Sequence, residues 1–435
     1  MNEAQTEFIE IHQLQVGMYI ELELGWMSHP FPKGSFTITS KKQIAVIQGL
    51  GLKRVRYLPE KSNLTDDLSG AEVYESVPFS NENGGAESEL TTAEADERRA
   101  VKKRRELLAA QQREMAVCER RFGEAIRQYK LVVEHVNSKP LAVMAQCLGL
   151  VNTFVNEMLG EGESAIRLLS DGMGDKASMH PVNVTIISLL LGKSLGLTKS
   201  DMVDLGMAAF LHDIGKSQLP GRVRWLEDNF SSAEYKLYQE HVGQSVAIGK
   251  GMALTAGALQ AIAQHHELID GSGFPTRLKG GSLSMPAKIL SLVNRYENLC
   301  NPSRPAAAIT PHEALSLIFA QLKTRFDGGA LSAFIRMMGV YPPGSVVQLV
   351  DERYAIVVSV NSSRPLKPRV VVYDPSVSRH EALILDLEKM SNIGIRRSLK
   401  PAGLPKDAMD YLSPRLRVCY FFESIIEPPF SGVNQ

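Results

Sequence analysis

A mainly α-helical protein is what this sequence predicts: a helical bundle with a small α/β module ahead of it and a small antiparallel β unit behind. Three observations carry that prediction. Residues 141–340 follow helical periodicity almost throughout, with capping signals at the boundaries. Residues 1–60 mix short alternating runs with one Gly-terminated helix. After Gly339 the apolar period switches to two. At roughly 150 residues per domain, 435 residues correspond to about three units.

The elements follow in order. LQVGMYIELEL reads as a strand entered from a turn, and WMSHPFPKGSFTI as a loop feeding a second strand. SKKQIAVIQGLG is a short helix stopped by Gly49 and Gly51, and KRVRYL closes the module as a strand. Residues 61–90, including NENGGAESEL, have linker composition. Thr91 and Glu94 then form a capping box ahead of a long, charged, Pro-free helix within 91–140. Its KKRR run, 102–105, lies among glutamates, as on a solvated helix face. The stretch 92–135 is the place where a homodimer contact is expected.

In the bundle, Thr198 with Asp201 and Ser231 with Glu234 open helices, and Thr310, Pro311 and Glu313 cap a third. GSVVQLV, YAIVVSV and RVVVYD are β-branched runs that place the antiparallel β unit at 342–385. The remainder, to Gln435, reads as irregular within a C-terminal segment of 341–435.

Composition narrows the function classes. Apolar residues make up 44 % and charged residues 22 %, an ordinary globular balance. Lys plus Arg equals Asp plus Glu, 48 each, so no overall basic excess points to nucleic acid or a membrane surface. The apolar stretch VTIISLLLG is far short of a membrane span. The acidic N-terminus has no signal-peptide pattern. Cys118, Cys147, Cys300 and Cys419 show no CxxC spacing, so neither a disulfide scaffold nor a thiolate zinc site is indicated, and a reducing, cytoplasmic setting fits best.

The chemistry lies in the histidines. His12, His29, His135, His312 and His380 are read as ordinary structural or surface residues. The other five form an ordered set with one aspartate: His180, His212-Asp213, His241 and His265-His266. The later groups are about 25–30 residues apart, one helical hairpin, so a bundle can converge them on one point. Imidazoles with one carboxylate form a ligand set for iron, manganese or a similar divalent ion. Adjacent residues do not share a helix face. The HD and HH pairs therefore fit a centre at helix ends, with Asp213 bridging two metal ions. A water between two such ions becomes hydroxide near neutral pH, a nucleophile suited to phosphorus. The glycines of IDGSGFPTRLKGGS follow no strand and no GK[ST], so this loop is expected to be a flexible flap rather than a P-loop.

HDIGK at 212–216 followed by HHELIDGSGFP at 265–275 resembles the HD-GYP family, a branch of the HD phosphohydrolases. The resemblance covers about 175–335, and LQVGMYIELELGWMSHPFPKGSFTI resembles the small domain often found ahead of it. It implies an HD-type bundle and hydrolysis of cyclic di-GMP to pGpG, or on to GMP, at a two- or three-metal centre. It also implies signalling partners of the diguanylate-cyclase type. By that match His180, His212 and Asp213 form one metal site, and His241, His265 and His266 the second with Asp213 shared. Lys216 falls near the scissile phosphate, Arg304 on a ligand phosphate, and Gly273 at the start of the GYP tripeptide.

Four positions depart from the family pattern. Phe274 replaces the tyrosine. Asn294 stands where a metal-binding carboxylate is expected and offers a neutral oxygen. Lys176, beside Asp175, occupies the place of the acid that supplies a third metal, which favours two metals. Arg277 stands where glycine is common, which could alter access to the pocket. The leading expectation is thus a two-metal cyclic di-GMP phosphodiesterase with Asp213 and Lys216 as catalytic residues. The alternatives are a cyclic di-GMP receptor with little or no turnover and an HD hydrolase of another nucleotide.

Overall fold

The computed structural model describes residues 7–22, 35–48, 52, 54–62, 92–160, 163–226, 229–361, 364–390 and 392–425. The expected linker beyond residue 62, the Pro-rich loop with His29, the Thr91 cap and the extreme C-terminus lie outside them. The chain divides into two units, Met1–Glu89 and Leu90–Gln435.

In the first unit, strands β1 (Glu7–Glu10), β2 (Tyr19–Glu21), β3 (Ser35–Thr37) and β4 (Arg54–Tyr57) form an antiparallel sheet of order β1-β4-β2-β3. Helix α1 (Lys41–Gln48) precedes β4. The alternating apolar residues Met18, Ile20 and Leu22 are buried with Ile38, Ile47 and Val55 in a core of their own. This is the α/β module that the period-2 runs predict.

The second unit begins with α2 (Thr92–His135), a helix of 44 residues. From Cys118 onward its apolar stripe, Phe122, Ala125, Ile126, Tyr129 and Val132, enters the main core of its own chain. Helix α3 (Pro140–Leu159) follows. By length and composition it could cross a membrane. It nevertheless buries Val143, Cys147, Val151, Phe154, Val155 and Met158 in the same core.

Helices α4 (Lys176–Ser194), α5 (Lys199–Leu211), α6 (Ser232–Gly251), α7 (Ala256–Gln264) and α8 (Met285–Cys300) make the bundle. Helices α9 (Pro311–Gln321) and α10 (Gly328–Met338) complete it. Thr198, Ser231 and Thr310 each accept a backbone N–H three residues on, and the last two form full capping boxes. Helix α4 is buried on all sides from Ser178 to Gly192 and packs against α2, α3, α5, α8 and α10. A helix apolar all round belongs at the centre, and α4 occupies it.

Two expectations need correction. The helical stretch contains a strand, β5 (Glu163–Leu168), and it joins the C-terminal sheet. That sheet adds β6 (Val346–Leu349), β7 (Tyr354–Asn361), β8 (Arg369–Val372), β9 (Ile384–Asp386), β10 (Ile395–Leu399) and β11 (Tyr420–Ile425). Its main path is β10-β6-β7-β5-β11, with β8 on β7 and β9 on β8. The residues after 385 are therefore ordered into β10, α11 (Lys406–Leu412) and β11 rather than irregular. The cause is long-range pairing: β11 lies antiparallel to β5, with Tyr420 opposite Leu168, and local pattern carries no trace of a partner some 250 residues away. Sheet and helices share one hydrophobic core.

Candidate metal centre

Four helices and a helix-to-turn junction deliver the polar cluster. His180 sits in the second turn of α4. His212 caps the C-terminus of α5, and Asp213 follows where the backbone leaves helical geometry. His241 lies inside α6, and His265 caps α7 with His266 next. Both dipeptides thus stand at helix ends, where neighbouring side chains can face one point.

Two donor groups share Asp213, one of His180, His212 and Asp213, the other of Asp213, His241, His265 and His266. Asp213 Oδ2 is 3.4 Å from Nε2 of both His180 and His212. Its Oδ1 is 3.5 Å from His241 Nε2 and 3.7 Å from His265 Nε2. The Nε2 atoms themselves approach closely: 3.1 Å for His180 and His212, 3.3 Å for His241 and His265, and 3.2 Å for His266 and His241.

The hydrogen bonds on the far ring nitrogens define the character of this cluster. His212, His241 and His265 each place Nδ1 on the carbonyl three residues back, at 2.8, 2.6 and 2.6 Å. Nδ1 must donate to a carbonyl, so Nε2 is left as an acceptor. Burial pushes His212 down to about 4 and His241 down to about 3, and holds His266 well below its ordinary value. His212, His241 and His266 are therefore held neutral. Asp213 is buried and yet held well below the carboxylate range by His212 and Lys216, and its Oδ1 has no hydrogen-bond partner. Lone pairs pointed at lone pairs around an orphaned carboxylate oxygen are unfavourable unless a cation lies between them. The donor set fits divalent metal ions.

Sequence reasoning missed Glu297. This carboxylate is 1 % exposed and pairs with His180 Nδ1. It also accepts from Asn183 Nδ2 at 3.2 Å and Asn301 Nδ2 at 2.8 Å. Burial works against a charged His180, but Glu297 and Asp213 together raise its pKa. A carboxylate behind a ligating histidine fixes the ring and strengthens it as a ligand. An acid on the apolar face of α8, one turn after Asn294 and next to Tyr296, was the signal available.

The remaining expected residues fall as follows. Lys216 is buried, with Nζ 2.6 Å from Asp213 Oδ2. Asn294 is buried and lines the cavity beside the cluster, and its Oδ1 accepts from Asn298 Nδ2 at 2.7 Å. Gly273 lines the same cavity of about 390 Å³. A Cβ there would lie 2.5 Å from His266 O, so only glycine fits. Phe274 stacks on His266 with ring centroids 4.4 Å apart. Arg304 is exposed and is not among the cavity-lining residues, whereas Arg295 and Arg325 are. Arg277 is exposed, at φ +57°, and does not line the cavity.

The loop after His266 is not the expected loose flap. Buried Glu267 accepts from Thr276 N and Oγ1 at 2.7 and 2.8 Å, from Arg277 N at 3.1 Å and from Leu278 N at 2.9 Å. Four donors on one buried carboxylate tie the turn to the end of α7.

Residues 163–329 match the model of the HD domain. That stretch, under half of the chain, is similar to the HD domain. Every residue of the histidine cluster, with Asn294 and Glu297, lies within the matched stretch. Residues 7–147 match a domain of unknown function, DUF3391. Over 375 residues the chain is 24 % identical to the cyclic di-GMP phosphodiesterase PA4108 of Pseudomonas aeruginosa, covering 84 % of each. Over 206 residues it is 30 % identical to the cyclic di-GMP phosphodiesterase response regulator RpfG of Xanthomonas campestris pv. campestris, covering 47 % of this chain and 54 % of that one. A 3'3'-cGAMP-specific phosphodiesterase 3 of Vibrio cholerae is 26 % identical over 186 residues, 41 % of this chain and 39 % of that one. The HD domain is thus homologous to those of cyclic dinucleotide phosphodiesterases.

Proposed function

We propose that this protein is a two-metal phosphodiesterase that hydrolyses cyclic di-GMP to linear pGpG. The observation that carries the reading is Asp213, whose two oxygens each face a separate set of imidazole Nε2 atoms. His180 and His212 would hold one ion and His241, His265 and His266 the other, with Asn294 a further neutral ligand. Iron and manganese suit this donor set. When bound, the ions supply Lewis acidity at phosphorus and acidify a water.

The chain's own residues do the rest. The backbone carbonyls behind His212, His241 and His265 keep Nε2 free of protons. Glu297 sets the His180 ring. Lys216 stays charged because the adjacent Asp213 outweighs the cost of burial, and its ammonium lines the cavity where negative charge develops in the transition state. Trp225, Tyr235, Tyr238 and Phe274 give the cavity aromatic walls for a nucleobase. The names of PA4108 and RpfG support cyclic di-GMP over 3'3'-cGAMP as the substrate.

One observation favours a second reading, a receptor that binds without turnover. Asn294 brings no charge to the centre, and its oxygen is already engaged by Asn298. A single preparation separates the two: count metals per chain, then follow cyclic di-GMP by chromatography with added Mn²⁺ or Fe²⁺, with Asp213→Ala as control. About two metals and a steady pGpG peak, both lost in the variant, are expected. Two metals and ligand binding without product would establish the receptor, and failure to bind metal under any loading condition would overturn both.

A further inference from the structure

The cations around the cavity are not equivalent. Lys216 is neutralised by Asp213 at 2.6 Å. Lys176 is not. Its Nζ donates to Asn301 O at 2.7 Å and Asn298 Oδ1 at 3.2 Å, both neutral. Among the described residues no carboxylate lies within ion-pair distance of it. Both ammonium groups lie against the Trp225 ring, at 5.4 Å for Lys176 and 5.1 Å for Lys216. Burial pushes Lys176 down to about 8, with Lys216 and Arg417 working in the same direction against Glu297 and Asp213.

Helix α8 presents Ser291, Asn294, Arg295 and Asn298 to the same cavity, spaced i, i+3, i+4 and i+7. Asn298 joins the two positions that depart from the family pattern, for its amide donates to Asn294 and its oxygen accepts from Lys176. Arg295 stands one turn away, next to Arg325. An ammonium that lines a cavity, held by carbonyl oxygens and sharing that cavity with Arg295 and Arg325, is poised for an anion.

We infer that Lys176, held by Asn298 and Asn301, is a phosphate-binding group that engages a second phosphate of a dinucleotide, apart from the phosphate at the histidine cluster. This rests on the phosphodiesterase reading and deepens it. A ligand with two phosphates can meet both Lys216 and Lys176, which lie against the same Trp225 ring, and a single phosphodiester needs only one of them. Lys176 is then a specificity-determining residue, and the Asn298–Asn294 link sets its position.

The test uses the full chain loaded with Mn²⁺, as wild type, Lys176→Met and Lys176→Arg, with cyclic di-GMP and bis(p-nitrophenyl) phosphate as probes. A charge-assisted hydrogen bond corresponds to a loss of about 10- to 100-fold in affinity. Lys176→Met is expected to raise KM for cyclic di-GMP by that factor, with kcat within about threefold of wild type. Metal content and KM for the single phosphodiester stay unchanged, and Lys176→Arg restores most of the affinity. An unchanged KM for cyclic di-GMP in Lys176→Met, with wild type active, overturns the inference and leaves the function standing. Equal losses on both probes with loss of metal also overturn it, showing a structural role. A wild type that neither binds nor cleaves cyclic di-GMP defeats the functional reading first, and the inference with it.

Discussion

Three imidazoles of the cluster are stripped of their protons by burial, and this ties stability to pH. An unfolded histidine titrates near 6.5, whereas folded His212 waits until about 4 and His241 until about 3. Between those values the unfolded chain binds more protons, so stability falls as pH drops below about 6.5. His266 acts in the same direction. His180 is shifted upward, so its contribution is already complete below 6.5 and does not offset the trend. The metal-free protein, held in chelator, is expected to lose thermal stability steadily from pH 6.5 to 5, at up to about 1.4 kcal/mol per pH unit for each such imidazole. Calorimetry checks this, and His241→Asn should make the dependence shallower. A midpoint flat over that range would show that these rings are already protonated. At this scale the sequence was legible wherever chemistry demanded a residue type: the five histidines and Asp213 converge as their order implies. Glu297 was not legible, because an acid inside an apolar helix face shows its role only when the ring it meets, 117 residues away, is placed. Arg304 illustrates the converse, since a motif position is no guarantee of facing the cavity.

The elements carry the site through a contact that crosses most of the chain. Asn183 of α4 accepts from Tyr420 N at 3.0 Å and donates to Val418 O at 2.9 Å. Asn301, just past α8, accepts from Val418 N at 2.9 Å and donates to Val418 O at 2.8 Å. Both asparagines also donate to Glu297. The segment entering β11 therefore positions the carboxylate that sets His180, although it lies outside the matched HD stretch. Helix starts were readable from their caps, since a cap is local; this clamp was not, because its partners meet only through β5–β11 pairing. Replacing Asn301 with leucine leaves the N–H and carbonyl of Val418 short of a partner and removes a donor from Glu297. We expect a stability loss of about 2–4 kcal/mol and metal affinity lower by about 10-fold. Leu416→Ser, at an exposed position, is the control. Denaturation together with competitive metal titration reads both effects, and a variant that loses stability at unchanged metal affinity would confine the clamp to folding.

Charge and assembly belong to the whole molecule. The α2 stripe at seven-residue spacing, Val101, Leu108, Met115, Phe122, Tyr129, is committed to the chain's own core in its second half. Its first half contacts the segment around β9, with Arg104 on Glu381 O and Gln111 on Ile384. The helix expected to hold a homodimer contact is thus committed to its own chain from Cys118 onward, while Val101, Leu107 and Val117 stay exposed. Net charge is likewise spent locally. With 48 basic and 48 acidic residues the chain as a whole exerts no net attraction on an anion. The cavity differs, for Lys176, Lys216, Arg295 and Arg325 line it without a carboxylate among its lining residues. A cationic cleft in a neutral protein attracts a dinucleotide only at short range, and salt screens that attraction over about 10 Å at 0.1 M. Raising ionic strength from about 0.05 to 0.5 M should therefore raise KM for cyclic di-GMP by several-fold while leaving kcat nearly constant. Steady-state kinetics in a non-coordinating salt measures this, and Lys176→Met should flatten the dependence because it removes a cation whose hydrogen-bond partners are neutral. A KM independent of salt would mean that aromatic stacking on Trp225 and direct ligation, rather than the field of the cavity, hold the nucleotide.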